Sequence, residues 1–265
     1  MFVNLSEEVT EFISNKASEY ISKKELNVPI GTEIFSELKR VSILLLYPLF
    51  DENANGICVT RTVKNKKEKF IYINTNNNIT KQVYTAAHEI GHIIDIDKEL
   101  KKEIEFNDDP ELIINRFASE LLMPKKDFIQ MFIKTRDQLF GLKTTIKVDD
   151  INKLIFELML HFMVPYRAIC YRMGELSILS NDDVNWLEKY ERKNKDDIEK
   201  TLRNNEKYSV LVKTDRNKEF GNIKELINKA DDNNLTFKTK INRIRELFDS
   251  DVQQKSDITI QDFEV

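Results

Sequence analysis

The segment His88-Glu89-Ile90-Gly91-His92 constrains this chain more than any other stretch of it. It lies in a run whose apolar residues recur at helical spacing, so the two histidines stand one turn apart on a single face. Both imidazoles can then reach one metal ion. Glu89 falls about 100° round the helix, close enough to hold a metal-bound water without being a ligand itself. A catalytic zinc usually has three protein ligands and one water, so a third ligand must come from elsewhere in the chain.

Composition narrows what surrounds that helix. The chain has 265 residues, 41% hydrophobic and 32% charged, which fits a globular protein of one large or two smaller domains. Only 6 glycines and 5 prolines, with abundant Glu, Lys, Leu and Ile, favour helix over sheet. The first residues, MFVNLSEEVTEF, carry acids where a signal peptide needs a basic segment and then an apolar run. The run Val41 to Phe50 is interrupted by Pro48 and is too short for a membrane span. Cys58 and Cys170 are far apart and outside metal-ligand spacing, and read as free thiols. These features together predict a cytoplasmic protein. A net charge of -4, from 41 basic and 45 acidic residues intermixed, weighs against a strongly basic nucleic-acid-binding surface.

Along the chain, Leu5, Val9, Phe12, Ile13, Ala17, Tyr20 and Ile21 predict an amphipathic helix over 5–26, broken at Val28-Pro29-Ile30-Gly31. A second helix, capped by Thr32, leads towards the apolar stretch Ile43–Leu46. Residues 56–63 and 69–74, rich in β-branched and aromatic side chains, read as a hairpin joined by the loop Lys64–Glu68. After the turn Asn74–Asn78, Thr80 is placed to cap a helix over 81–97 that carries the histidines and packs Val83, Ala86, Ala87 and Ile90 inward. A charged connection, 98–108, ends at Asp109-Pro110, a strong N-cap followed by proline in the first helical position. That helix runs to Met123, and Pro124 opens the next, 125–134. Residues 149–163 and 165–173 form a helix-turn-helix-like pair. From Trp186 onward charge dominates, with 17 basic and 17 acidic residues and so a net charge of zero. Tyr208–Val212 and Leu235–Phe237 have strand character, and Ile223–Ala230 and 240–248 helix character, which fits either a small α+β appendage or a partly ordered tail. The expected segments are an N-terminal helical part of the catalytic domain (1–52), a core (53–140), a helical region (141–185) and a charged C-terminal extension (186–265).

The third ligand has several candidates. The metzincin pattern is excluded, because Asp95 stands where its glycine would be and Lys98 where its third histidine would be. His161 lies far downstream between apolar residues and reads as a packed side chain. Asp95 and Asp97 compete from the end of the histidine helix itself. Glu111 is the stronger candidate: it sits in the first turn of the helix begun at Asp109-Pro110, where the helix dipole favours its ionised form. Asn115, one turn on, is placed to accept the Nδ1–H of a metal-bound histidine, most plausibly His88. Glu120 lies nine residues beyond Glu111, about 900° round the helix, and so on the opposite side, as a surface or supporting residue.

The pattern His88-Glu89-Ile90-Gly91-His92, then Glu111, then Asn115-Arg116-Phe117-Ala118-Ser119-Glu120-Leu121-Leu122-Met123-Pro124, resembles the ImmA/IrrE family of metallopeptidases. The N-x-F-A-x-x-L-L-M-P segment carries the resemblance more specifically than the metal motif, and the likeness covers roughly residues 53–174, up to Phe162-Met163-Val164-Pro165 and Arg172-Met173. It implies a gluzincin-like, predominantly helical α+β fold, with a small mixed β-sheet packed on two metal-binding helices. It also implies one zinc ion and cytosolic proteolysis of a regulatory protein, often a helix-turn-helix repressor of a mobile element or stress response. Asn115 stands where the wider gluzincin class can have Asp.

On this reading His88, His92 and Glu111 hold zinc, and Glu89 is the general base. The strand Phe70–Asn74, if it forms the sheet edge above the cleft, pairs with an extended substrate. Tyr84, His161, Tyr166 and Tyr171 are candidates for the oxyanion partner. Two other readings stand beside it: a zinc-containing regulator acting by protein contact without proteolysis, and a DNA-associated regulator using 149–173. An intact Glu89 favours the peptidase over the first, and the acidic balance weighs against the second.

Overall fold

The computed structural model describes residues 5–49, 54–63, 66–107, 109–141, 148–219, 221, 223–233 and 236–249. Chain contacts divide it into a unit of residues 1–219 and a second of 220–265. The expected boundary at 185/186 falls inside a helix, so residues 186–219 belong to the first unit.

The first unit opens with α1 (Glu7–Lys24), capped by Ser6, whose hydroxyl accepts from the Val9 amide. Its apolar stripe Val9, Phe12, Ile13, Ala17 and Tyr20 is buried, as the spacing predicted. After a single 3-10 turn, α2 (Ile34–Val41) follows without the Thr32 cap: no side chain caps it, because the turn Gly31–Glu33 already feeds helically into it. Glu37 of α2 is fully buried and accepts from the Tyr20 hydroxyl at 2.8 Å, tying the two helices together.

Ile43–Tyr47 is a strand, β1, although no periodicity in this apolar run chooses strand over helix. It pairs in parallel with β3 (Lys66–Asn74), and β2 (Gly56–Val63) pairs antiparallel with β3 on the other side. The order is β1-β3-β2, so the sheet is mixed and small. Phe70–Asn74 is therefore central and not the sheet edge; β2 is the edge, and among the described residues nothing pairs with its outer side. The outer side of β1 is met by residues 213–219, which bond Leu46 to Glu219, Thr75 to Asn217 and Ile79 to Lys213.

Leu44, Leu46, Ile71 and Ile73 turn one sheet face onto α3 (Ile79–Ile93). Asn78 caps α3 by accepting from the Lys81 amide; Thr80 already lies within the helix, and its hydroxyl donates to Asn78 Oδ1. The expected helix 81–97 ends early at Ile93. Asp95 takes a left-handed conformation, φ 52°, and α4 (Ile96–Glu103) starts anew within what reads as a charged connection. Lys69 of β3 ends α3: its Nζ lies 3.2 Å from the His92 carbonyl oxygen and 3.5 Å from Asp95.

Asp109 and Pro110 start α5 (Pro110–Leu122) as predicted, Asp109 Oδ1 accepting from the Glu111 amide at 3.0 Å. This helix packs between α1 and α3. Then come α6 (Lys125–Phe140), α7 (Val148–Phe162), α8 (Tyr166–Glu175), α9 (Asn181–Lys193) and α10 (Lys195–Arg203). Residues Ser209–Val212 form a 3-10 turn and not a strand, with Leu211 buried and Tyr208 bonded to Glu157. No single helix among the described residues is long and apolar enough to cross a membrane. The second unit shows two helices, α11 (Ile223–Asp232) and α12 (Lys238–Asp249), packed on each other. The strand expected at Leu235–Phe237 is absent at Phe237, and Leu235 lies outside the described residues.

On the side of α5 away from Glu111, Glu120 is only 3% exposed, not a surface residue. It takes both ends of the Arg172 guanidinium, at 2.7 and 2.6 Å, and Arg116 adds a contact at 3.1 Å. Arg172, fully buried on α8, also donates to the Met123 carbonyl and to Glu175. Removing one partner of such a pair leaves an uncompensated buried charge. Arg172→Met is therefore expected to lower stability by about 3 kcal/mol, the lower end of the usual range because Arg116 still faces Glu120. Urea unfolding of the full chain checks this.

Candidate metal centre

The histidine helix and the capped helix meet at Gly91. A β-carbon there would stand 2.9 Å from Ile114 Cγ2 and 3.5 Å from Phe117, so only glycine lets α3 and α5 approach this closely. The closeness puts Glu111, in the first turn of α5, opposite the exposed face of α3. His88 Nε2 lies 3.2 Å from Glu111 Oε2, and His92 Nε2 lies 3.6 Å from Glu111 Oε1. The two Nε2 atoms are 3.2 Å apart, and one donor atom from each of the three residues falls within 4.8 Å of the others.

Two imidazole nitrogens and a carboxylate oxygen converging on one point form a donor set that could hold a metal ion. Asn115 Oδ1 sits 3.0 Å from His88 Nδ1. It accepts the Nδ1 proton, which leaves the lone pair on Nε2, the nitrogen facing Glu111. Burial lowers the His88 pKa and the neighbouring His92 lowers it further, against the opposing pull of Glu111 and Asn115. The ring is thus disposed to be neutral, as a ligand must be.

Glu89 rests against the sheet at Gly56. It is 4% exposed, and its Oε2 is buried with no hydrogen-bond partner among the described residues. Burial, and then the Glu111 carboxylate, push its pKa up to about 7. An unpartnered buried carboxyl beside a metal-ligand group is an unusual arrangement for a purely structural side chain.

The competing residues lie elsewhere. Asp95 is engaged with Lys98 and Lys69. His161 packs edge-on against Phe162 and joins no donor group among the described residues. Of the oxyanion candidates, Tyr84 donates to the Asn115 carbonyl and Tyr166 donates to Asn152, so both hydroxyls are spent on structure. Sequence reasoning missed Lys69, a neighbour of the centre through the His92 carbonyl, and Gly56, where an added β-carbon would meet Glu89. Neither carries a local signal, since both reach the centre by strand pairing.

Residues 39–174 match the family model described as Peptidase M78, IrrE N-terminal-like domain. The chain belongs to that family, and the match begins ahead of β1, as it must if that strand is part of the domain. Among solved structures, a Mycobacterium tuberculosis transcriptional regulator is similar with 15% sequence identity and a TM-score of 0.41, covering 63% of this chain and 51% of that one. The chain thus spans about half the length of that structure. No curated protein matches the chain.

Equilibrium dialysis against zinc is expected to give one ion per chain, with binding lost in His92→Ala and Glu111→Ala and unchanged in His161→Ala. Asn115→Ala should weaken binding by about 10- to 100-fold, since the ring it orients then turns freely. Gly91→Ala forces Ile114 aside, and a loss of about 1–3 kcal/mol in thermal unfolding is expected from overpacking alone.

Proposed function

We propose that this chain is a zinc-dependent endopeptidase of the cytoplasm that cleaves a specific regulatory protein, a helix-turn-helix repressor of a mobile element or stress response. The observation that carries this reading is a three-donor group standing beside a buried carboxylate with an unpartnered oxygen. His88, His92 and Glu111 hold the ion, and Asn115 keeps the His88 ring in its ligating tautomer. Bound there, zinc supplies a water of near-neutral pKa and polarises the scissile carbonyl.

The remaining work falls to the chain's own residues. Glu89 takes the proton of the attacking water and delivers it to the leaving amine. Its Oε2 makes no hydrogen bond among the described residues, so no neighbouring donor competes for that carboxylate. The free edge of β2 runs past Glu89, and an extended substrate segment pairs with it, so that backbone bonds set the alignment and side-chain pockets the selection. Membership of a peptidase family supports a protein substrate. A regulator that acted only by contact would have no use for Glu89 in this state, and the same residue favours chemistry over docking.

Wild type and Glu89→Gln are incubated with the repressor encoded beside the gene, and the mixtures read by mass spectrometry. A single cut is expected with wild type only, the variant keeping its zinc and losing at least about 100-fold in rate. Equal cleavage by Glu89→Gln would sink the mechanism.

A further inference from the structure

Gly56 opens β2 where the sheet edge passes the histidine helix. A β-carbon built at this position would lie 2.5 Å from Thr85 Cγ2, 2.9 Å from Glu89 Oε1 and 3.0 Å from the Tyr72 carbonyl oxygen. The first two distances are shorter than real β-carbons show, and of the two neighbours Glu89 Oε1 is the tip of a flexible side chain, so an added β-carbon would displace the carboxylate. Thr85 and Glu89 are both buried, one turn apart on the face of α3 that the sheet covers. The bare backbone of the edge strand is therefore the wall against which the carboxylate rests. Glu89 Oε2 has no hydrogen bond among the described residues to hold it, so packing against that wall fixes its place.

We infer that Gly56 is a positioning residue for Glu89: its missing side chain lets the edge strand seat the carboxylate beside the histidines. The inference rests on reading Glu89 as the base. It adds that the strand offered to substrate and the group that acts on it are set by one contact. Because Gly56 lies on the edge strand itself, any movement of β2 at that point is felt at Glu89. Base and substrate alignment are then linked by sterics, with no intervening side chain.

The test must separate this role from ordinary packing against Thr85. In a Thr85→Ser background the 2.5 Å contact is gone, while the 2.9 Å contact with Glu89 remains. Gly56→Ala is introduced there in the full chain, alongside Gly56→Ala alone and Thr85→Ser alone, all loaded with zinc. In crystal structures of Gly56→Ala/Thr85→Ser, Glu89 is expected to move by at least about 0.5 Å, the step from 2.9 Å to ordinary contact near 3.4 Å. The melting temperature should return to that of Thr85→Ser, and zinc affinity should stay within about threefold. Turnover of the repressor should fall about tenfold or more at unchanged KM, since a misplacement of about 1 Å, twice this step, costs about 100-fold. An unmoved Glu89 with β2 displaced outward, or full turnover in the double variant, would overturn the inference. Failure of wild type to cut the repressor would instead remove the peptidase reading and leave the crystallographic displacement to be judged by itself.

Discussion

The close approach of α3 and α5 at Gly91 is the contact on which the rest of this structure depends. Two histidines on one helix face are only a pair until a third donor arrives, and Glu111 arrives because nothing at position 91 holds the helices apart. Ile114 and Phe117, fully or almost fully buried, fill the space beside it. The same helix position that completes the donor group is therefore a packing position. Chemistry and stability share one interface, and neither can be altered there alone.

The helix α5 is used on both sides. Toward α3 it presents Glu111 and Asn115, which stay partly open to solvent. On its far side, Glu120 is locked into a buried network with Arg172, Arg116 and Glu175. Nine residues separate the two glutamates, and that spacing alone sends one to the metal-ligand group and the other into the core. The ion pairs bind α8 to the back of α5, so the helical pair α7 and α8 supports the layer that carries the donor group. Buried charges of this kind add little net stability, but they fix which partner each helix accepts.

Local signals accounted for the elements whose limits are written in the chain. Asp109-Pro110 starts α5 because an N-cap oxygen and a preset φ act within three residues. The hairpin of β2 and β3 follows from two β-rich runs close in sequence. Where the sequence misled, the deciding contact came from far away. Ile43–Leu46 is a strand because β3 offers it a parallel partner, which no periodicity within five residues can reveal. The histidine helix stops at Ile93 with neither glycine nor proline, where Lys69 reaches the His92 carbonyl and the Asp95 carboxylate from the sheet. Tyr208–Val212 has strand composition but pairs with no strand among the described residues, and it coils into a 3-10 turn around buried Leu211.

By itself the sequence determined the donor types and their phase: two histidines one turn apart, a glutamate in a capped first turn, and an asparagine one turn beyond. Those relations are set by the pitch of a helix, which neighbours do not change. Only the tertiary structure decided which strand is the edge, that Phe70–Asn74 lies in the middle of the sheet, and that bare Gly56 presses on Glu89. Strand order and close contact depend on pairings between distant segments, and nothing in the local spacing of residues encodes them.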